Sequence, residues 1–227
     1  PITGGVPMKL RFGLAGLAAA GAAAVVFVAR PRYLRWGATP EESWRPLPGD
    51  DLIRRADLVA TRAVTIHAPA ARVWPWIAQM GQGRAGLYGY DALENLVGCD
   101  MHSADRIVPE WQDVAVGDAF RLHPDVPLEV VAVEPDRRLV IRGGVPLGDA
   151  PEAPFDFTWA FILEEPDPAD GTTRLLVRER WAYKRWWARF MVEPVELGSF
   201  AMSQKMLRGI RERVETEAPA QAAPNAD

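Results

Sequence analysis

The sequence predicts an α+β fold: a curved antiparallel sheet wrapped on one long C-terminal helix, with a single hydrophobic helix in front. Three observations carry this. Between Leu128 and Tyr183, β-rich segments alternate with turn chemistry. From Arg185 to Glu215 the apolar residues recur at helical spacing. Phe12 to Ala29 contains no charged residue.

The elements follow in chain order. Met8-Lys9-Leu10-Arg11 reads as a translation start with a basic n-region, so residues 1–11 form a flank. In the run Phe12–Ala29, a helix at ~1.5 Å per residue reaches roughly 27 Å, enough for a hydrocarbon core. A membrane anchor is the reading taken forward. A signal peptide cut at Ala20–Ala22 or Ala22–Ala24 and a helix buried in protein stay open. Arg30, Arg32 and Arg35 behind the run outweigh Lys9 and Arg11 before it, which leans the following domain to the cytoplasmic side of a single-pass protein.

Residues 30–57 hold Pro31, Pro40, Pro46, Pro48 and Gly49 among charges and read as an extended linker. Trp36 and Trp44 either meet lipid or pack on the domain. The domain is expected over 58–215. It opens with a β-branched strand, Leu58–Ala68. A helix follows from Pro69 to Met80, with Val73, Trp76, Ile77 and Met80 on one face, stopped by Gly81-Gln82-Gly83. Tyr90–Val97 is a second short helix. Strands are expected at Leu128–Val133, Leu139–Arg142, Phe155–Glu164 and Thr172–Tyr183. The final helix places Phe200, Ser203, Leu207, Ile210 and Val214 on its apolar face, and Pro194 should kink or divide it. The polar, Ala/Pro-rich residues 216–227 read as a disordered tail.

Composition narrows the function. The net charge of −4 lacks the basic surface that nucleic acid requires, so no nucleic-acid partner is expected. The single cysteine, Cys99, excludes an intrachain disulfide. Nine tryptophans suit an apolar cavity or a membrane interface. No hydrolase, zinc-protease or phosphate-loop motif is present.

Val64-Thr65-Ile66-His67-Ala68-Pro69-Ala70-Ala71-Arg72-Val73-Trp74-Pro75-Trp76-Ile77 resembles the opening strand and helix of the SRPBCC superfamily. That superfamily holds START-like lipid carriers, plant ligand binders and polyketide cyclase/dehydrase-like proteins. The block Gln79–Gly86, Tyr88, Tyr90-Asp91, Leu93-Glu94-Asn95 and Asp105–Glu110 is similar to a bacterial, membrane-associated subgroup without an assigned reaction. The resemblance spans residues 36–215. It implies a helix-grip fold with an apolar ligand pocket, and it implies no reaction.

Several groups are candidates for chemistry. Gly81-Gln82-Gly83-Arg84-Ala85-Gly86 matches GxGxxG, but the preceding segment is a helix, so a nucleotide site is not expected. A loop at one mouth of the pocket is expected instead, where Arg84 could meet an anionic headgroup. Tyr88, Tyr90, Asp91, Glu94 and Asn95 either form a polar gate or cap the short helix; Asp91, Glu94 and Asn95 share a face. Cys99, His102 and Asp105 lack a second ligand cluster, so no metal is expected, and His102 stays a candidate acid–base residue. Phe155, Phe157, Trp159, Phe161 and Leu163 alternate with Asp156 to Glu164 and must share one face. On the next strand Glu179 shares parity with Leu175, Val177 and Trp181. If that face is inward, Glu179 is a carboxylate in an apolar wall, needs a partner or a proton, and is a candidate acid. A bulge would turn it outward. Lys184-Arg185-Trp186-Trp187-Ala188-Arg189-Phe190 suits either anionic lipid or the start of the closing helix.

The expectation is a membrane-tethered binder or carrier of a hydrophobic, lipid-like or polycyclic, small molecule. Trp76, Phe157, Trp159 and Phe161 are expected in the pocket wall, with Tyr88, Tyr90 and Glu94 at its gate and no cofactor. A cyclase/dehydratase-type enzyme using Glu179 or His102 is the alternative, and a partner-binding assembly or stress protein is the third reading.

Overall fold

A computed structural model describes residues 29–96, 98–124, 126–144, 152–165 and 167–216. Six strands make one antiparallel sheet: β1 Leu58–Ile66, β2 Ala119–His123, β3 Val126–Glu134, β4 Arg138–Gly143, β5 Phe155–Glu164 and β6 Thr173–Tyr183. The spatial order is β1-β6-β5-β4-β3-β2. Consecutive strands from β2 to β6 are neighbours, and β1 closes on β6 at the far edge. Register shifts in the β2–β3 and β3–β4 pairs bend the sheet, since an unmatched residue increases local twist.

Five α-helices are described: α1 Arg30–Leu34, α2 Pro40–Trp44, α3 Ala70–Ala78, α4 Asp91–Leu96 and α5 Arg189–Thr216. The α3 and α4 helices sit where periodicity predicts them. The α5 helix runs through Pro194 as one element, so the proline does not divide it. Phe155, Phe157, Trp159, Phe161 and Leu163 of β5 face the same core as Leu207, Ile210 and Val214 of α5. The expected strand β5 is therefore found with its stated parity. Strand β2 escaped the sequence reading because Ala119–His123 is short and polar, with only Phe120 buried.

The other face of the sheet is also buried, which corrects the reading of residues 30–57. They are not an extended linker. They fold as α1, α2 and a 3-10 turn, Asp50–Ile53, and strap the β1 edge. The Ala63 amide donates to the Trp36 carbonyl, and Gly37, at φ +73°, lies so close to the Ala63 carbonyl that no side chain fits. Beyond that crossing Leu47 packs on Ala63, Val140, Ala160, Ile162 and Leu176. Arg178 is buried beneath the strap and donates to Asp50 Oδ2 at 2.7 Å, the Glu42 carbonyl at 2.7 Å and Thr61 Oγ1 at 2.9 Å. A buried guanidinium needs this many acceptors, because an unpaired buried charge is expensive. Trp36 packs on the core, while Trp44 is exposed.

Among the described residues no helix is long and apolar enough to cross a membrane. The expected membrane helix Phe12–Ala29 lies outside the described residues except for Ala29, and the tail from 217 onward lies outside them too.

Candidate functional site

Between the inner face of the sheet and α5 lies a cavity of about 610 Å³. That falls in the range of about 300–1,000 Å³ usual for small-molecule sites. Its walls come from the sheet, the segment around α4 and the α5 helix. Phe155, Phe157 and Trp159 project from β5, and Glu179 and Trp181 from β6. Leu122 and Leu128 come from β2 and β3. The segment around α4 supplies Leu87, Gly89, Glu94, Cys99 and Met101. The α5 helix adds Val195, Gly198, Ser199, Met202, Ser203 and Met206. Within this lining Phe157 lies 4.2 Å from the Trp181 ring, and Trp159 lies 4.7 Å from Phe161 in the core behind it.

Two acidic features interrupt this lining. The first is a buried charge cluster. Glu179 points inward, opposite Trp159 on β5 and Ala60 on β1, so no bulge turns it out. Arg62 donates from Nη1 to Glu179 Oε1 at 2.8 Å and from Nη2 to Glu196 Oε1. Ser199 Oγ donates to Glu179 at 2.8 Å, and Ser203 Oγ lies 3.1 Å from its Oε1. The Tyr33 carbonyl of the strap accepts from Arg62 Nε at 3.3 Å. Glu196 Oε2 has no hydrogen-bond partner among the described residues. One guanidinium thus faces two buried carboxyls. Burial and then the neighbouring Glu179 charge push Glu196 up to about 7, against the pull of Arg62. Burial thus favours the protonated form of Glu196 up to near neutral pH.

The second feature is Glu94. Both its oxygens are buried without a hydrogen-bond partner among the described residues. Burial, then the Asp91 charge, push its pKa up, which favours the neutral acid. Its carboxyl packs over Gly89, where a side chain would collide with Oε1 and approach Met202. Burial and then Glu94 also push the Cys99 thiol up, so this cysteine is no ready nucleophile.

Of the residues singled out by sequence, Phe157, Trp159, Glu94 and Glu179 line the cavity. Others stand elsewhere. Trp76 and Phe161 are completely buried core residues that do not reach the lining. Tyr88 is no gate: it is buried edge-on to Trp76, accepts from Gln79 Nε2 at 2.9 Å and donates to the Trp76 carbonyl at 2.9 Å. Tyr90 is exposed and outside the lining. His102 has 78% of its side chain in solvent, in a surface groove with Arg84 and Asp105, and does not meet Glu179. Asp105 accepts from Arg213 at 2.9 Å. No group of metal-ligating side chains occurs among the described residues.

The glycine motif is not a mouth of the cavity. Gly81 and Gly86 bond to each other across a closed turn at 2.9 and 3.1 Å, and Arg84 donates to the Trp111 carbonyl. That leaves Arg84 bound to the protein itself. Asp91 and Asn95 cap the adjoining loop, Asp91 by accepting from Ser103 and Asn95 by bonding both ways to Met101. Only Glu94 of that polar group turns to the cavity. Arg62 and Glu196 were missed, although both carried a signal. Arg62 shares inward parity with Leu58, Val64 and Ile66, and Glu196 stands seven residues before Ser203 on the apolar face of α5.

No protein-family model matches the chain, and no curated protein matches it. Several solved structures are similar. One from Mesorhizobium loti is 18% identical, covering 70% of this chain and 98% of its own, with a TM-score of 0.40. A Helicobacter pylori protein is 15% identical, covering 74% and 94%, with a TM-score of 0.45. A Polyketide_cyc-like protein from Corynebacterium glutamicum is 16% identical, covering 73% and 96%, with a TM-score of 0.39. Likeness this distant carries no argument about activity.

Proposed function

We propose that the chain binds a hydrophobic small molecule, lipid-like or polycyclic, between its sheet and α5. The observation that supports this most is the cavity itself: about 610 Å³, walled by Phe155, Phe157, Trp159 and Trp181 with three leucines and three methionines. Apolar walls of this kind take up apolar ligand surface, at roughly 25 cal/mol for each Å² removed from water. Burial at Glu94, which disfavours its charged form, suits a ligand that carries no charge where it passes α4. Native mass spectrometry of the gently purified full chain, followed by organic extraction, tests this. A stoichiometric hydrophobic mass is expected. A clean apo mass, unchanged after incubation with total lipid extract, would sink the reading.

A second reading is proton-transfer catalysis of the cyclase/dehydratase kind, with Glu179 at the cavity wall. It is favoured by the buried Arg62, which bridges Glu179 to Glu196, a carboxyl whose burial raises it to about 7. Turnover lost in Glu179→Gln with the fold and ligand retained is its signature. His102, the other candidate acid–base residue, lies in the surface groove and outside the cavity lining.

A further inference from the structure

We infer that the exposed N-terminal half of α5 lies against a membrane surface containing anionic phospholipid, so that the cavity mouth opens toward the bilayer; this deepens the pocket reading and rests on it. Three observations converge on this face. From Phe190 to Ala201 the exposed positions are Phe190, Pro194, Val195, Leu197, Gly198 and Ala201, all uncharged. The two acids of the stretch do not interrupt it, since Glu196 is buried and Glu193 accepts three hydrogen bonds from Arg30, at 2.7, 2.9 and 3.2 Å. Phe190 is 68% exposed, Leu197 59% and the adjoining Trp186 79%, a grouping of exposed apolar side chains of the kind that marks an interaction site.

The same face is the way into the cavity. Val195 and Gly198 are exposed and also line it. The α4 helix, which gives Glu94 to the lining, leaves Leu93 and Leu96 exposed. Beside Trp186 and Phe190 stand the exposed cations Arg185 and Arg189, the pairing of aromatic rings with positive charge that suits anionic headgroups over acyl chains.

The third observation selects a membrane over a protein partner. The uncharged run Phe12–Ala29 ends at Arg30, and Arg30 is bound to Glu193 on this very helix. The segment most compatible with lipid therefore ends at the face most compatible with lipid. A hydrophobic ligand passing between bilayer and cavity would then avoid crossing water.

The test uses the full chain, Cys99→Ser, reconstituted in phosphatidylcholine vesicles containing phosphatidylglycerol. An environment-sensitive label is attached at Leu197→Cys or Phe190→Cys on α5, or at Trp44→Cys on the outer face, and circular dichroism checks each fold. At Leu197 and Phe190 a blue-shifted emission is expected, with loss of quenching by aqueous iodide and gain of quenching by nitroxide lipid. At Trp44 the label should stay open to iodide. Omitting phosphatidylglycerol should weaken the shift. Equal iodide quenching at Leu197 and Trp44 would overturn the proposal, and a shift indifferent to phosphatidylglycerol would overturn its anionic component. Ligand is extracted from the same samples. An aqueous label with ligand retained refutes the docking alone, whereas a lipid-facing label with no ligand under any condition refutes the pocket.

Discussion

Arg62 is the residue whose loss should be felt most. It holds two carboxyls that water does not reach, and removing one partner of a buried ion pair strands the charges that remain. Arg62→Met is expected to lower the unfolding free energy by about 3–5 kcal/mol, read from urea denaturation at neutral pH. Adding Glu179→Gln and Glu196→Gln should recover most of that loss, because the amides need no counter-charge. A change of less than about 1 kcal/mol in the single variant would place these charges in solvent contact.

The same cluster sets a pH dependence. Glu196 is raised from its ordinary 4.5 to about 7 in the folded chain. Between those values the folded protein keeps a proton that the unfolded chain releases. Stability therefore falls as pH rises through this window and is insensitive to this group below it. Burial shifts Glu94 the same way. The slope of unfolding free energy between pH 4.5 and 7 should be negative and should flatten in Glu196→Gln. A slope unchanged by that substitution would assign the proton elsewhere.

Among the elements, α5 serves three ends at once. Leu207, Ile210 and Val214 close the core, Ser199 and Ser203 reach Glu179, and the exposed positions before Ala201 face outward. Gly198 stands inside this helix, and a Cβ added there meets nothing within 4 Å. Glycine in a helix interior costs about 0.8–1.0 kcal/mol relative to alanine, so Gly198→Ala should stabilise the chain by about that amount in thermal or chemical unfolding. No gain would mean that the added methyl obstructs something the fold needs at the cavity mouth. The strap of residues 30–57 is the second element with a double duty. It seals the outer face through Leu47 and Arg178, and its Tyr33 carbonyl completes the Arg62 site on the inner face.

For the molecule as a whole, a sheet buried on both faces carries a large cavity at the centre of one of them. Such a cavity forfeits packing contacts, and filling it should return them. A bound hydrophobic ligand at a hundredfold excess over its Kd should add about 2.7 kcal/mol to the unfolding free energy by mass action. A concentration-dependent rise in Tm with added ligand, absent when Phe157 and Trp159 are replaced by polar residues, checks this. A Tm indifferent to every hydrophobic compound offered would count against a ligand site.

How much of this was legible depends on the range of the interaction. Strand parity is a local property, so the shared face of the β5 apolar set follows from spacing of two residues, and α3 and α4 follow from helical spacing and glycine stops; that Glu179 turns inward was decided only by the unbulged pairing of β6. The strap was not legible. Proline and charge look the same in a solvated linker as in a segment whose arginine partners lie more than a hundred residues away, and Arg178 meets Asp50 only after β6 is in place. The cavity divides likewise. Sequence brought out Phe157, Trp159, Glu94 and Glu179, each by its own local pattern. It could not separate them from Trp76, Tyr88 and Phe161, which share the same apolar and aromatic character but turn into packed core. Sequence by itself determined the longer elements of the domain and which of their faces are apolar, because periodicity is carried by near neighbours along the chain. Only the tertiary structure decided which apolar face closes on itself and which encloses space, because that depends on the distance between a bent sheet and a helix.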